Sequence, residues 1–180
     1  RGEFLPEPEN SNVDSIVTYY SEIIEYNISN EESYLNDKAS VLYQGTKLES
    51  GFIHVDWESN ILDAEKKYNQ KPIVYSNSSA PMEGESLIYN LITKRGIINK
   101  GKTQFNDSFY HGDEIYRQKE NIFHVNNSAY TSCDLDVPHY YLWSRYMKMI
   151  PDDRIIAKPL VLCIYDIPIM WFPFAVFPNK

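Results

Sequence analysis

The side chains best able to do chemistry here are four histidines, two cysteines and a scatter of carboxylates, and their spacing suits none of the familiar reactions. His54, His111, His124 and His139 lie far apart, two of them on expected strands. They form no His-Glu-x-x-His or His-x-His pair, so a metal site is not expected. Cys133 and Cys163 are 30 residues apart, with neither zinc spacing nor a Cys-x-x-Cys motif. Two readings of them stand: inert core thiols, or one thiol pairing with a cysteine outside this chain. Asp134, Asp136, Asp152 and Asp153 sit in turn-like clusters, where a carboxylate bonds its own backbone. No Gly-x-Ser-x-Gly elbow, P-loop or Gly-x-Gly-x-x-Gly occurs. Sequons at Asn27, Asn77, Asn106 and Asn126 are what Asn- and Ser-rich loops produce by chance.

The chemistry that remains makes and breaks no bonds. A spaced pattern recurs: apolar, any, small, any, any, apolar, any, apolar. Its copies are Leu48, Ser50, Ile53, Val55; Met82, Gly84, Leu87, Tyr89; Tyr110, Gly112, Ile115, Arg117; and Leu142, Ser144, Met147, Met149. Only Arg117 breaks the last position. Each copy is followed by a polar turn and an apolar pair: Ile61-Leu62, Ile97-Ile98, Ile122-Phe123 and Ile155-Ile156. Side chains at i and i+2 share a strand face, whereas i+5 would fall on the other. A β-bulge next to the small residue restores the face and bends the strand. Strands bent at one level make a curved, folded-over sheet. The expected apolar lining is Leu48, Ile53, Val55 and Trp57, with Leu87 and Tyr89. From the later copies come Ile115, Phe123, Val125, Leu142, Met147, Met149 and Ile156. Such a continuous apolar surface is either a sealed core or a groove for acyl chains.

The elements that must carry these rows are strands. Tyr (15 residues), Ile, Val, Thr and Phe are frequent, Ala is rare, and ten prolines punctuate the 180 residues, so an all-β fold is expected. Val13–Tyr20 with Glu22–Asn27 reads as a first strand pair. Tyr34–Gln44 with Thr46–Trp57 reads as a second, broken at Gly45. Gln70–Met82 starts as a strand and loosens at 77–81 into a loop or a bulged edge. Residues 1–12 read as a disordered lead-in opening on Arg1-Gly2-Glu3-Phe4, which resembles a cloning remnant. Residues 13–165 read as one β domain. Residues 166–180, with prolines at 168, 173 and 178, read as an exit segment where regular pairing stops. A net charge of −8 without a basic stripe argues against a nucleic-acid binder. No signal peptide and no apolar run of about 18 residues is present. The expectation is a soluble piece of a larger exported protein.

Six short motifs in the last 50 residues point further. They are Tyr130-Thr131-Ser132-Cys133, His139-Tyr140-Tyr141-Leu142, Lys158-Pro159-Leu160-Val161, Tyr165-Asp166-Ile167-Pro168-Ile169, Phe172-Pro173-Phe174 and Phe177-Pro178. Together they resemble the end of the periplasmic domain in the family of lipopolysaccharide-assembly outer-membrane proteins, LptD or OstA. Ser132 stands where the family has Thr. The bulged strands of Val13–Asn127 resemble OstA-type domains more weakly. The resemblance implies a folded-over antiparallel sheet, the β-taco or β-jellyroll, with an apolar groove that passes lipopolysaccharide from a periplasmic bridge to the outer membrane. It implies no enzyme activity and no cofactor. The relatives LptA and LptC share that fold without the proline-rich ending. The implied partners are lipopolysaccharide, an LptA-like bridge protein paired at a sheet edge, and an LptE-like lipoprotein within a barrel that would follow. Cys133 falls where the family has a cysteine able to form a disulfide to the barrel region. Cys163 has no counterpart in the motif and reads as a buried thiol.

Two other functions compete on residues alone. One is a structural β domain that scaffolds or plugs an outer-membrane barrel. The other is a carbohydrate-active β-fold enzyme, which would need a converging carboxylate pair.

Overall fold

The computed structural model describes residues 16–76, 79–105, 108–118, 122–135, 137–150 and 153–178. Sixteen strands and no helix are found among them, and the chain divides into two units, Arg1–Gly96 and Ile97–Lys180. The first holds β1 (Thr18–Tyr20), β2 (Ile23–Asn27), β3 (Glu32–Tyr43), β4 (Thr46–Asp56), β5 (Ile61–Glu65), β6 (Ile73–Ser76), β7 (Ser79–Glu83) and β8 (Ser86–Asn90). The second holds β9 (Gly96–Phe105), which starts on the last residue of the first unit, and β10 (Ser108–Arg117), β11 (Phe123–Thr131) and β12 (Tyr140–Ile150). It closes with β13 (Arg154–Lys158), β14 (Leu160–Ile164), β15 (Ile167–Phe172) and β16 (Ala175–Pro178).

Local chemistry sets the hairpins. Gln44 (φ 46°) and Gly45 (φ 77°) join β3 to β4, and Tyr165 (φ 47°) and Asp166 (φ 63°) join β14 to β15. Two-residue turns with both φ values positive match the twist of the strands they join. After β4, the Asp56 carboxylate accepts the backbone N–H groups of Glu58 and Ser59 and the Ser59 hydroxyl. These bonds, the hydroxyl first, hold its pKa below the ordinary value. After β8, Asn90 Oδ1 accepts from Ile92 and Thr93 in the same way.

Within each unit a long strand faces two short ones. In the first, β4 pairs β5 along 52–56 and β6 along 46–49. In the second, β12 pairs β13 along 146–150 and β14 along 140–143. The outer positions split likewise: β7 lies on β6 and β8 on β5, as β15 lies on β14 and β16 on β13. The copy expected over Met82–Tyr89 is therefore two strands, parted at buried Gly84.

The bend sits at the small residues, but its form differs between the units. In β3, Asp37 (φ 62°) and Lys38 (φ 50°) together face Gly51 of β4, a true bulge. Both Ser50 and Gly51 are buried, so the inward face changes between them. At the bend of the second unit no residue is inserted on β10, β11 or β12. The ladders β10–β11 and β11–β12 skip the row Asp113, Asn127, Arg145 with equal counts on every strand. There Asn127 takes φ 49°, and the face changes at buried Gly112, Ser128 and Ser144.

The first unit folds over at its bend. Tyr19 lies opposite Val41, which lies opposite Leu48. Trp57 is nine residues past Leu48, about 30 Å along a straight strand. Yet the Tyr19 and Trp57 rings are 6.4 Å apart.

Two expectations are corrected and one is narrowed. β1 and β2 do not pair with each other; both lie on β3, at its two ends, with Ser21 between them. The Ser21 hydroxyl bonds the Ile23 and Asn36 carbonyls, and the Glu22 N–H reaches the Asp37 carbonyl, so the edge breaks where β3 bulges. The stretch 73–83 is a hairpin of β6 and β7 whose register shifts between Val74 and Ser76, so its described residues take the bulged form and not the loop, and 77–78 lie outside the described residues. Pairing also continues past Asp166. Pro168 faces Cys163 at a bulge and Pro178 faces Arg154, positions at which no ladder donor is needed from an outer strand.

A Cβ on Gly51 would come within 2.5 Å of the Lys67 carbonyl oxygen and 2.8 Å of its Cβ. Gly51→Ala is expected to cost about 1–3 kcal/mol by overpacking against backbone. Urea unfolding of the variant beside the parent chain checks this, and an unchanged midpoint would refute it.

Candidate functional site

Cross-strand register assembles the expected apolar positions into rows. In the first unit one row is Leu35, Ile53, Ala64 and Leu87; the next is Ser33, Val55, Leu62 and Tyr89. On the far side of the bend lie Val41, Leu48, Val74 and Met82. Leu35, Ile53 and Ala64 are fully buried at 0% exposure, and Val55 and Leu62 reach only 2%. Trp57 caps this end, its indole N–H donating to Ser33 Oγ at 2.8 Å.

In the second unit one row is Ile115, Val125, Met147 and Ala157, continued by Ala175. The next is Arg117, Phe123, Met149, Ile155 and Phe177. Across the bend lie Tyr110, Tyr130, Leu142 and Leu162. Ile115, Val125 and Met147 keep 6–8% exposure, while Arg117, Phe123, Met149 and Ile155 are half-buried. The second interior is thus looser than the first.

Twelve of the thirteen expected lining positions fall in or beside these rows. Ile156 does not: it pairs with Lys148 and Val176, on the face opposite Ile155 and Ala157. A one-residue register choice decides which of two adjacent isoleucines points inward. Sequence reasoning also missed Leu35, Val41, Ala64 and Ala157. For Leu35 and Val41 the signal was there, as alternate residues on either side of the β3 bulge.

The serines among these rows bond to neighbouring backbone, so they do not compete with an apolar ligand. Ser50 Oγ donates to the Glu65 carbonyl at 2.8 Å, Ser128 Oγ to that of Ser144 at 3.1 Å, and Ser144 Oγ to that of Tyr146 at 2.9 Å.

The other candidates converge on nothing catalytic. No group of three His, Cys, Asp or Glu side chains among the described residues is placed to hold a metal. His54 stacks on Tyr34 (4.7 Å) and lies 3.6 Å from Glu32 Oε1. His111 is pushed below its ordinary pKa by burial and then by Lys102. His124 shares a register row with Lys148. His139 Nδ1 is 3.5 Å from Cys133 Sγ, and its ring meets Tyr165 edge-on at 5.4 Å. Both thiols are free, Cys163 buried and Cys133 half-buried. Asp153 bonds Arg154 Nε, whereas Asp136 and Asp152, like the sequons at Asn77 and Asn106, lie outside the described residues. Asn27 Oδ1 accepts from the Ser29 N–H, and Asn126 Nδ2 donates to Glu114, ordinary turn and sheet contacts.

No family model matches the chain. The chain is 30% identical over 69 residues to the LPS-assembly protein LptD of Azoarcus sp. (strain BH72), a match covering 38% of this chain and 8% of that protein. A second LPS-assembly protein LptD, from Aromatoleum aromaticum, is 28% identical over 69 residues, covering 38% and 9%. The chain thus matches less than a tenth of these relatives' length. In fold it is similar to LptH of Pseudomonas aeruginosa, the LptA-homologous periplasmic component of a lipopolysaccharide transport device. That likeness has a TM-score of 0.54 at 12% identity and covers 64% of this chain and 85% of that one. The sequence matches and the likeness in fold together support an OstA-like domain of the LptD kind. Its fold is the all-β, antiparallel β-jellyroll or β-taco.

Near the two thiols, the Tyr141 hydroxyl donates to Asp166 Oδ1 at 3.0 Å. Burial, then that bond, then Cys163, push the Tyr141 pKa up to about 12 from 10.0. The folded state therefore holds this proton more tightly than the unfolded chain. Its contribution to stability is intact below pH 10 and is lost as pH rises from 10 towards 12. Urea unfolding at pH 9 and pH 11 is expected to show a smaller alkaline loss in Tyr141→Phe than in the parent. Equal losses would refute the assignment.

Proposed function

We propose that this OstA-like domain holds the acyl chains of lipopolysaccharide against its interior rows and passes the lipid from a periplasmic bridge towards an outer-membrane translocon. The observation that carries the reading is the looser second interior, whose apolar row Phe123, Met149 and Ile155 stays half-buried where the first unit is closed. An acyl chain gains about 0.8 kcal/mol per CH₂ buried. Contacts of that kind have no direction, so a chain can slide from row to row. The names of the relatives, LPS-assembly proteins and a component of a lipopolysaccharide transport device, support the choice of lipid. No bond is made or broken, so the domain is a transport component at the periplasmic side of the outer membrane.

The partners follow from the edges. β2 pairs only with β3 among the described residues, and its Ile23, Ile24 and Tyr26 are exposed on both faces. An open edge of this kind accepts a strand from an LptA-like bridge protein. In the second unit β15, β16 and the residues between them carry exposed Ile167, Ile169, Trp171 and Phe174, without a charge from Ile167 to Pro178. On this reading that segment is the approach to a barrel and its LptE-like lipoprotein, with Cys133 available for a disulfide to the barrel region.

A second reading has an observation of its own. Zero exposure at Leu35, Ile53 and Ala64 is what a structural core gives, so the first unit would scaffold rather than conduct. A photo-crosslinking residue at Met147, at Ile53 and, as an outward control, at Lys148 separates the two in cells making lipopolysaccharide. Capture at Met147 and Ile53 but not Lys148 is expected for a conduit through both units. Capture at Met147 alone confines the lipid to the second unit. No capture at either inward position would sink the transport reading.

A further inference from the structure

We infer that Arg117 is the headgroup-binding residue of a lipid site in the second unit, and that it takes a phosphate carried by an acylated lipid; this rests on the lipid-binding reading above. Arg117 is the residue that broke the repeated apolar pattern, and the structure keeps it in the row. It stands opposite Phe123, which stands opposite Met149, then Ile155, then Phe177. It is two residues from Ile115 on the same strand and face. In the interior rows traced above for both units it is the one ionisable side chain with a permanent charge. The equivalent place in the first unit, opposite Ser33, holds Tyr26.

Position along the strand explains how a charge survives there. Arg117 is the last residue of β10, and the next turn closes with the Gln118 N–H on the Ile122 carbonyl at 2.8 Å. Its Nε is buried beside the apolar row, and a stem lying along that row can still carry the two terminal nitrogens towards the rim. Exposure is graded to match: Ile115, Val125 and Met147 deeper in are nearly closed, and Arg117, Phe123, Met149 and Ile155 at the rim are half-buried. An amphiphile lying with its chains inward would therefore bring its polar end to Arg117. A guanidinium offers five N–H donors in a planar fork that fits phosphate oxygens. Arg117 already takes part in an interaction within the chain, and we infer that a phosphate joins it there.

The test is lipid binding to this chain, read by displacement of a fluorescent fatty acid. The probes are lipopolysaccharide, the same lipid stripped of phosphate by phosphatase, and phosphatidylglycerol. Thermal unfolding first establishes that Arg117→Met and Arg117→Lys fold like the parent. Arg117→Met is expected to weaken binding of the phosphorylated lipid about tenfold or more, the size of a lost charge-assisted pair. It should leave the dephosphorylated lipid unchanged, and Arg117→Lys should recover part of the loss. The same Arg117 dependence with phosphatidylglycerol would extend the site to phosphate on any acylated lipid; dependence with lipopolysaccharide alone would confine it to that source. Equal weakening of phosphorylated and stripped lipid would reduce Arg117 to a packing role and overturn the proposal. So would unchanged binding in Arg117→Met when Met149→Asp abolishes binding, although the lipid-binding reading would then survive. Failure of the parent chain to bind any of the three lipids would overturn that reading itself.

Discussion

Everything in this domain depends on a steric condition at the bends: a strand can turn its other face inward only where the side chain at the bend is small. Ser50 and Gly51 meet that condition in the first unit, and Gly112, Ser128 and Ser144 in the second. Remove the bend and the row led by Leu48 would face one way while that led by Ile53 faced the other, since side chains alternate. With the bend, both point inward, and the Tyr19 and Trp57 rings meet although most of β4 runs between the rows that carry them. The two units solve the same problem differently. One inserts Asp37 and Lys38 opposite Gly51; the other twists Asn127 into the left-handed region without an insertion.

Packing then separates units that share a topology. In the first, Leu35, Ile53 and Ala64 fill the space between the bent halves, and Trp57, tied to Ser33, covers the end. In the second, the corresponding end row begins with Arg117 and ends with Phe177, and it lacks an indole lid of that kind. Phe123 and Met149 are large, yet they remain half-buried, and the charged Arg117 stands in the same row. A difference of a few side chains at one row thus accompanies a closed interior in one unit and a looser one in the other.

Much of this was legible in the residues. The aromatic and β-branched composition gave strands, Gly45 marked a hairpin, and the recurring small residue marked each bend. What escaped was set by pairing between strands. Ile155 and Ile156 are chemically alike, and only the register against Met149 and Met147 decides that Ile155 points inward. β1 and β2 lie on β3 because the edge must break where β3 bulges, which local sequence does not encode. Pro168 and Pro173 read as breakers, but an outer strand at a bulge, or the gap between β15 and β16, does not call on the missing N–H. Arg117 was visible from the start as the exception to a pattern, and the register gave the exception its meaning.

The closed first interior bears on how a lipid would move. Parting Leu35, Ile53 and Ala64 exposes apolar surface and costs roughly 25 cal/mol per Å². An acyl chain entering the gap covers the same kind of surface at about the same coefficient. The exchange of side chain against methylene is therefore close to neutral, whereas opening the gap to water is not. On the proposed reading such an interior would stay shut when empty and yield only to an apolar ligand. Water and small polar solutes would be excluded without a dedicated gate, and the acyl chain itself would supply the free energy that holds the rows apart.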